Sequence, residues 1–230
     1  MKYKVETVMS DVFSPSLKAK LTAYENPDPT EKPDDSDDTE NTKKSNVLSE
    51  EIDHKLFKQR KVLIFGGIDD KIARDVTARL LALIGDSHKP IDIYINSPGG
   101  HVESGDTIHD MIRFVDSVAP VNMIGTGWVA SAGALIFAAG HKERRFCLPN
   151  TRFLLHQPMG GVRGPATDID IEAREIIKMR ERLNNIFAQE TGHSYEKIAK
   201  DTDRNYWMSA QEAIAYGLVT KIISYASDLP

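Results

Sequence analysis

Between Lys61 and Ile223 short apolar runs alternate with longer amphipathic stretches, and this alternation leaves few architectures open. Lys61-Val-Leu-Ile-Phe-Gly66 is a continuous apolar run that stops at glycines, as a strand buried on both faces does. Ile91 to Asn96, Val121 to Gly125, Arg152 to His156 and Leu218 to Ile223 read as four further strands. The stretches between them have helical period. From Asp69 to Ile84, Ile72, Val76, Leu80 and Leu83 share one face, and from His101 to Val115, Ile108, Ile112 and Val115 do so. Ser131 to Ala139 predicts a helix of small and apolar residues. Asp168 to Thr191 predicts a long helix closed by Gly192, with Ile169, Ile176, Met179, Leu183 and Phe187 on its packing stripe. Ser194 caps a short helix, and Ser209-Ala-Gln-Glu212 is a capping box. Strands that take turns with helices give an α/β protein with a parallel sheet.

Upstream the chemistry is different. Glu25 to Asn46 holds no Ile, Leu, Val, Met, Phe, Tyr or Trp, and its eight acids and three lysines leave a net charge of −5. Such a stretch buries too little apolar surface to offset its ordering entropy, so it is expected to be disordered. The expected organisation is an N-terminal extension over residues 1–50, largely disordered and acidic from 25 to 46, followed by one folded domain over 51–230. The whole chain also carries −5, so the folded part is balanced and lacks the basic footprint of a nucleic-acid binder. Met1-Lys-Tyr-Lys-Val-Glu lacks the apolar stretch of a signal peptide, and Ala130 to Gly140 is too short to span a bilayer. The single cysteine, Cys147, excludes an internal disulfide. A soluble cytoplasmic protein without membrane or nucleic-acid partners is expected.

Three segments carry chemistry. Gly127-Trp-Val-Ala-Ser131-Ala-Gly133 sets a serine among small residues where a strand gives way to a helix. Leu155-His156-Gln157-Pro158 ends an apolar run on a histidine, where site residues of open parallel sheets collect. Ile95-Asn-Ser-Pro-Gly-Gly100 runs a strand into a double-glycine turn whose backbone N–H groups are unobstructed. A serine needs a base to accept its proton, and an acyl-transfer intermediate needs donors for its oxyanion. Taken singly, each has a plainer reading: a capping serine, a histidine bonded in a turn, a tight turn.

Together, with Arg145-Phe-Cys-Leu-Pro-Asn150 and Asp201-Thr-Asp-Arg204, these segments resemble the proteolytic subunit of the ATP-dependent Clp protease from about Lys58 to Ile223. The resemblance implies a ClpP/crotonase-like repeated ββα fold with a protruding handle helix. It implies Ser131 as nucleophile, His156 as general base, and the N–H groups of Gly100 and Ala132 as the oxyanion hole. Gly100 to Ser131 is about two residues longer than in the family, an insertion expected near Ser117 to Pro120. One position departs. Where the family has the Asp that orients the histidine, this chain has Asn205, which can orient the ring but brings no charge. Asp201 and Asp203 are the acids near enough in sequence to substitute. Asp168 to Thr191 resembles the handle helix through which two heptameric rings stack, with Arg174 at the ring–ring contact and Gly160-Gly161 in the hairpin that pairs across rings. Tyr94, Phe114 and Phe146 match apolar positions of the pocket that receives an AAA+ unfoldase such as ClpX, ClpA or ClpC; Asp92 replaces an aromatic there.

The resemblance therefore implies a serine endopeptidase subunit of a self-compartmentalising protease that degrades unfolded proteins, its turnover lowered or made conditional by Asn205. It implies a homo-oligomeric tetradecamer, with a paralogous Clp subunit as a further partner. The alternative is a catalytically impaired structural or regulatory paralogue in mixed rings. A crotonase-type hydratase would need a carboxylate at the site, and a signal-peptide peptidase a lysine. No cofactor or metal is expected, and nothing resembles a phosphate-binding loop, so ATP is left to the partner unfoldase.

Overall fold

Lys61–Phe65 (β1), Ile91–Ser97 (β2), Val121–Ala130 (β3), Arg145–Cys147 (β4), Arg152–Leu155 (β5), Tyr206–Ser209 (β6) and Lys221–Ile222 (β7) join in one sheet. These come from a computed structural model that describes residues 50–230; the expectations for the acidic stretch and the rest of the extension lie outside the described residues. The main path is β1-β2-β3-β4-β7, parallel throughout. β5 pairs in parallel with β3 and antiparallel with β6. The helices are residues 50–58 (α1), Asp70–Asp86 (α2), Val102–Asp116 (α3), Ala132–Ala138 (α4), Ala166–Thr191 (α5), Tyr195–Asp201 (α6) and Ala210–Ala215 (α7).

β3 is twice the length its apolar run predicts, because it serves two partners in succession. Met123 to Gly125 pair with β4, and Trp128 to Ala130 pair with β5. Between them the register with β2 slips, Ile95 facing Gly125 but Ser97 facing Val129. Gly127 sits at the slip with φ +60°, and a Cβ there would meet Asn96 Oδ1 at 2.9 Å. The bulge turns the strand so that its far end, and Ser131 after it, leaves the main sheet. The short strands β4 and β6 carry too few residues to show a period. β7 is shorter than Leu218 to Ile223 predicts, because the Leu218 and Val219 N–H groups bond Ala213 O and close the end of α7 instead.

The predicted helix faces pack inward: Val76, Leu80 and Leu83 on α2, and Ile108, Ile112 and Val115 on α3, are buried against Ile93, Ile95 and Met123 of the sheet. Arg60, itself buried, closes the end of α2 by donating to Leu83 O and Ser87 O, each at 2.9 Å. On the opposite face, Ile124, Phe146 and Ile223 form a small second cluster with Tyr94 and Leu229. Phe114 lies apart from it and is 59% exposed. Asp92 accepts a hydrogen bond from the Asn122 amide at 2.9 Å.

α5 departs from its predicted stripe. Leu183 and Phe187 are buried and Met179 packs on the core, but Ile169 is exposed. The first half of this 26-residue helix projects from the domain, and the second half is rooted in it. Arg174 there pairs with Asp170 one turn back, at 2.8 Å. The root is fixed by an ion pair between the fully buried Arg145 of β4 and Glu190, which Arg113 of α3 joins at 3.0 Å. Gly192 ends the helix in the left-handed conformation predicted for it, φ +80°.

Candidate active site

Ser131 stands between β3 and α4 with φ +55°, ψ −122°, a strained backbone for a residue with a side chain. Its N–H donates to Leu154 O at 2.9 Å, which ties it to the end of β5. Space for this turn comes from small neighbours. A Cβ on Gly133 would press Ser97 at 3.1 Å, and one on Gly105 of α3 would press the Ala132 Cβ at 3.1 Å.

His156 follows β5 directly, so the β3–β5 pairing brings serine and histidine together across 25 residues. His156 Nε2 lies 2.8 Å from Ser131 Oγ, and Nδ1 lies 3.0 Å from Asn205 Oδ1. Because the Asn205 carbonyl oxygen only accepts, Nδ1 carries the proton and Nε2 is left free to accept from the serine hydroxyl. The loop bearing Asn205 is held at this distance by its neighbours. Gln157 N–H donates to Thr202 O and Gln157 Nε2 to Asp203 O, each at 2.7 Å. The buried Thr202 donates to Asn184 of α5 at 2.9 Å. Neither nearby acid takes the place of Asn205: Asp201 accepts from Tyr216 Oη and Lys197, and Asp203 pairs with Arg180 at 3.3 Å.

The double-glycine turn lies beside the serine. Gly99 and Gly100 have φ +95° and +152°. A Cβ on Gly99 would come within 2.6 Å of Ser131 Cβ and 3.1 Å of Ala132 N; one on Gly100 would strike Ile68 O at 2.2 Å. Ile68 N–H bonds Gly99 O and His101 N–H bonds Ile68 O, each at 2.9 Å, so the turn is pinned from behind.

A narrow pocket of about 20 Å³ opens at Ser131 and His156 and is walled by Val102, Ala132, Leu135, Leu155, Pro158, Leu183 and Phe187. Helical spacing alone marks Leu183 and Phe187 only as packing residues. Their place in this wall depends on where the root of α5 docks, which no local pattern shows. Cys147 is buried outside the site, and burial pushes its thiol up to about 12. Among the described residues, no three or more His, Cys, Asp or Glu side chains are grouped to hold a metal ion, and no helix is long and apolar enough to cross a membrane.

A hydroxyl hydrogen-bonded to an oriented imidazole, next to a glycine turn and an apolar pocket, is the equipment of a serine-type acyl-transfer enzyme on an α/β sheet. The Clp protease family model matches residues 43–226, and the chain belongs to that family. It is 76% identical over 203 residues to ATP-dependent Clp protease proteolytic subunit 2 of Gluconobacter oxydans, covering 88% of each chain. To proteolytic subunit 2 of Pseudomonas aeruginosa it is 58% identical over 167 residues, covering 73% of this chain and 82% of the other. Among solved structures, ClpP1 of Listeria monocytogenes is 52% identical and superposes with a TM-score of 0.71 over 78% of this chain and 99% of the other. An Asn-to-Asp mutant of that protein superposes at 0.72 with the same identity and coverage. The chain is thus a serine-type peptidase of the Clp class, and the mixed α/β fold expected from the resemblance is the one observed.

Proposed function

We propose that this subunit cuts unfolded polypeptides through Ser131, His156 and Asn205, with the N–H groups of Gly100 and Ala132 as its oxyanion hole. The observation that carries the reading is the 2.8 Å contact between Ser131 Oγ and a His156 Nε2 left unprotonated by its partner. Ser131 Oγ attacks the scissile carbonyl while Nε2 takes its proton. The carbonyl oxygen becomes an oxyanion held by the two backbone donors. His156 then protonates the leaving amine and the C–N bond breaks, leaving an acyl-serine. Water, deprotonated by His156, releases the second product and restores the serine. The apolar wall of the pocket favours substrates with an apolar side chain before the cut bond.

Asn205 holds the ring in the required tautomer but does not offset the charge of the imidazolium formed in each transition state. Chemistry is therefore slower than with a carboxylate, yet not disabled. No cofactor enters any step. The assembly proposed is two stacked heptameric rings of this chain, alone or with a paralogous Clp subunit, served in the cytoplasm by an AAA+ unfoldase of the ClpX or ClpA/ClpC kind that spends the ATP. The projecting half of α5 supports ring stacking, and the apolar cluster at Tyr94, Ile124 and Phe146 supports docking. One observation favours a second reading, a regulatory paralogue in mixed rings: Asp92 and Asn122 put a polar pair on that same docking face.

Intact mass after incubation with a serine-reactive fluorophosphonate tests the chemistry. One adduct in the native chain, absent from Ser131→Ala, is expected. No adduct in the assembled protein would leave the regulatory reading.

A further inference from the structure

The turn that carries Gly100 has little of its own to hold its peptide planes. Pro98 fixes one φ angle, but Gly99 and Gly100, at φ +95° and +152°, lack the Cβ that would bar other headings. Hydrogen bonds must therefore set where each N–H points, and they can be followed residue by residue. Pro98 has no N–H. His101 N–H donates to Ile68 O at 2.9 Å. Gly99 N–H donates to Ser97 Oγ at 3.1 Å. Among the described residues, Gly100 N–H is left as the one amide of the turn without an acceptor. Burial follows the same division: Gly99 is buried and Gly100 is exposed. A buried N–H must be satisfied inside the protein, whereas an exposed one can meet a ligand.

Two peptide planes decide the heading of Gly100 N–H. Ile68 N–H, bonded to Gly99 O at 2.9 Å, holds the plane between Gly99 and Gly100. Across a trans peptide C=O and N–H point opposite ways, so this bond turns Gly100 N–H away from Ile68. Ser97 Oγ holds the preceding plane through Gly99 N–H. Ser97 closes β2 and is fully buried. Its side chain also lies against the helix that bears the second donor. A Cβ on Gly133, in the first turn of α4, would come within 3.1 Å of Ser97 Cβ and 3.4 Å of Ser97 Oγ. Ala132 opens that helix, where an N–H has no carbonyl of its own helix to bond. One buried side chain thus touches both the turn that presents Gly100 and the helix end that presents Ala132.

We infer that Ser97 is a positioning residue: its hydroxyl takes up the Gly99 N–H, so that this turn offers the oxyanion only the Gly100 N–H, at a spacing from Ala132 N–H that the Ser97 side chain sets. This rests on the peptidase reading above. Without the hydroxyl, Gly99 N–H must find another acceptor. The soft backbone of two glycines lets the turn rotate toward one and carries Gly100 N–H off its heading. Outright removal of an oxyanion donor costs about 10²–10³ in turnover. Ser97→Ala misaims a donor that is still present, so kcat is expected to fall about tenfold. KM should stay within twofold, because full negative charge on the carbonyl oxygen forms only after binding.

The test measures kcat and KM on a fluorogenic peptide amide and traps the site with a peptide chloromethyl ketone carrying 13C at its ketone carbon. The assembled native protein is compared with Ser97→Ala and Thr151→Val. Ser131 Oγ adds to the ketone carbon while His156 Nε2 displaces chloride. The trapped hemiketal oxygen then ionises in the oxyanion hole, and the 13C resonance follows this with pH. Thr151→Val is the control for simple loss of a buried hydrogen bond: Thr151 is buried and its hydroxyl donates to Gly125 O at 3.0 Å. In Ser97→Ala the hemiketal is expected to ionise at higher pH, its anion about tenfold less favoured, with kcat lowered to match. In Thr151→Val both should remain as in the native protein. Equal ionisation in the native protein and Ser97→Ala, or the same change in both variants, overturns the role of Ser97 while leaving the peptidase intact. A crystal structure of the native adduct tests the role without any variant. Gly100 N and Ala132 N should both reach the hemiketal oxygen, with Gly99 N–H still on Ser97 Oγ; a Gly99 N–H turned to the hemiketal oxygen overturns the inference. Absence of any Ser131 adduct in the native protein, by contrast, removes the peptidase reading and the role of Ser97 with it.

Discussion

Asn205→Asp is the substitution that most directly weighs the chemistry of this site. The side chains are isosteric, and the Asn205 Nδ2 makes no hydrogen bond among the described residues, so the exchange sacrifices no contact. Oδ1 stays 3.0 Å from His156 Nδ1. What changes is a unit negative charge facing the imidazolium that forms when Ser131 gives up its proton. At a separation of roughly 4 Å and an effective dielectric constant of about 20, the attraction is about 4 kcal/mol. Asn205 is exposed, so solvent screening cuts this to about 1–2 kcal/mol. That is roughly five- to thirtyfold in kcat. Because the charge exists only in the transition state, KM should hardly move. The assay is steady-state hydrolysis of a fluorogenic peptide amide with an apolar residue before the cut bond, across pH, with ring assembly checked by sedimentation. A gain in kcat below twofold, in a variant as fully assembled and as fully labelled at Ser131 as the native chain, would refute the argument that the missing charge limits turnover.

Gly100→Ala drives a Cβ to 2.2 Å from Ile68 O and forces the turn to move, so kcat on the same peptide should fall by about 10² or more. Glu190→Gln leaves Arg145 buried beside a neutral partner; urea denaturation should show a loss of about 3–5 kcal/mol. Leu183→Ala hollows the pocket wall, and kcat/KM for bulky apolar peptides should drop about tenfold more than for an alanine peptide. Burial holds the Cys147 thiol near 12, so at pH 8 about one molecule in ten thousand carries thiolate. Alkylation of the folded chain by iodoacetamide should therefore be undetectable over an hour, and become complete in urea.

What the chain states locally, it states well. The faces of α2 and α3, the cap at Ser194 and the box at Ser209 and Glu212 follow from spacing alone, and all are formed. Ser131, His156 and Asn205 were legible because each sits in a distinctive tract, and the structure brings them within hydrogen-bond reach. Less visible were features set by partners distant in sequence. The far half of β3 is a strand because β5 lies beside it, and two glycines hide that from any count of apolar residues. Leu183 and Phe187 have the pattern of core residues, yet they wall a pocket.

The continuity of α5 constrains how this segment can vary. One unbroken rod of 26 residues carries a projecting surface at one end and, at the other, Leu183 and Phe187 in the pocket and Asn184 under the Asn205 loop. Substitution on the projecting half is free of the core. Length is not: each residue inserted or deleted there turns the outer surface by about 100° and shifts it by about 1.5 Å relative to the pocket. Natural variants of this helix should therefore drift in side chain while keeping count, or change by a whole turn of about four residues, where the surface comes back close to its old heading. Its length is constrained more tightly than its sequence.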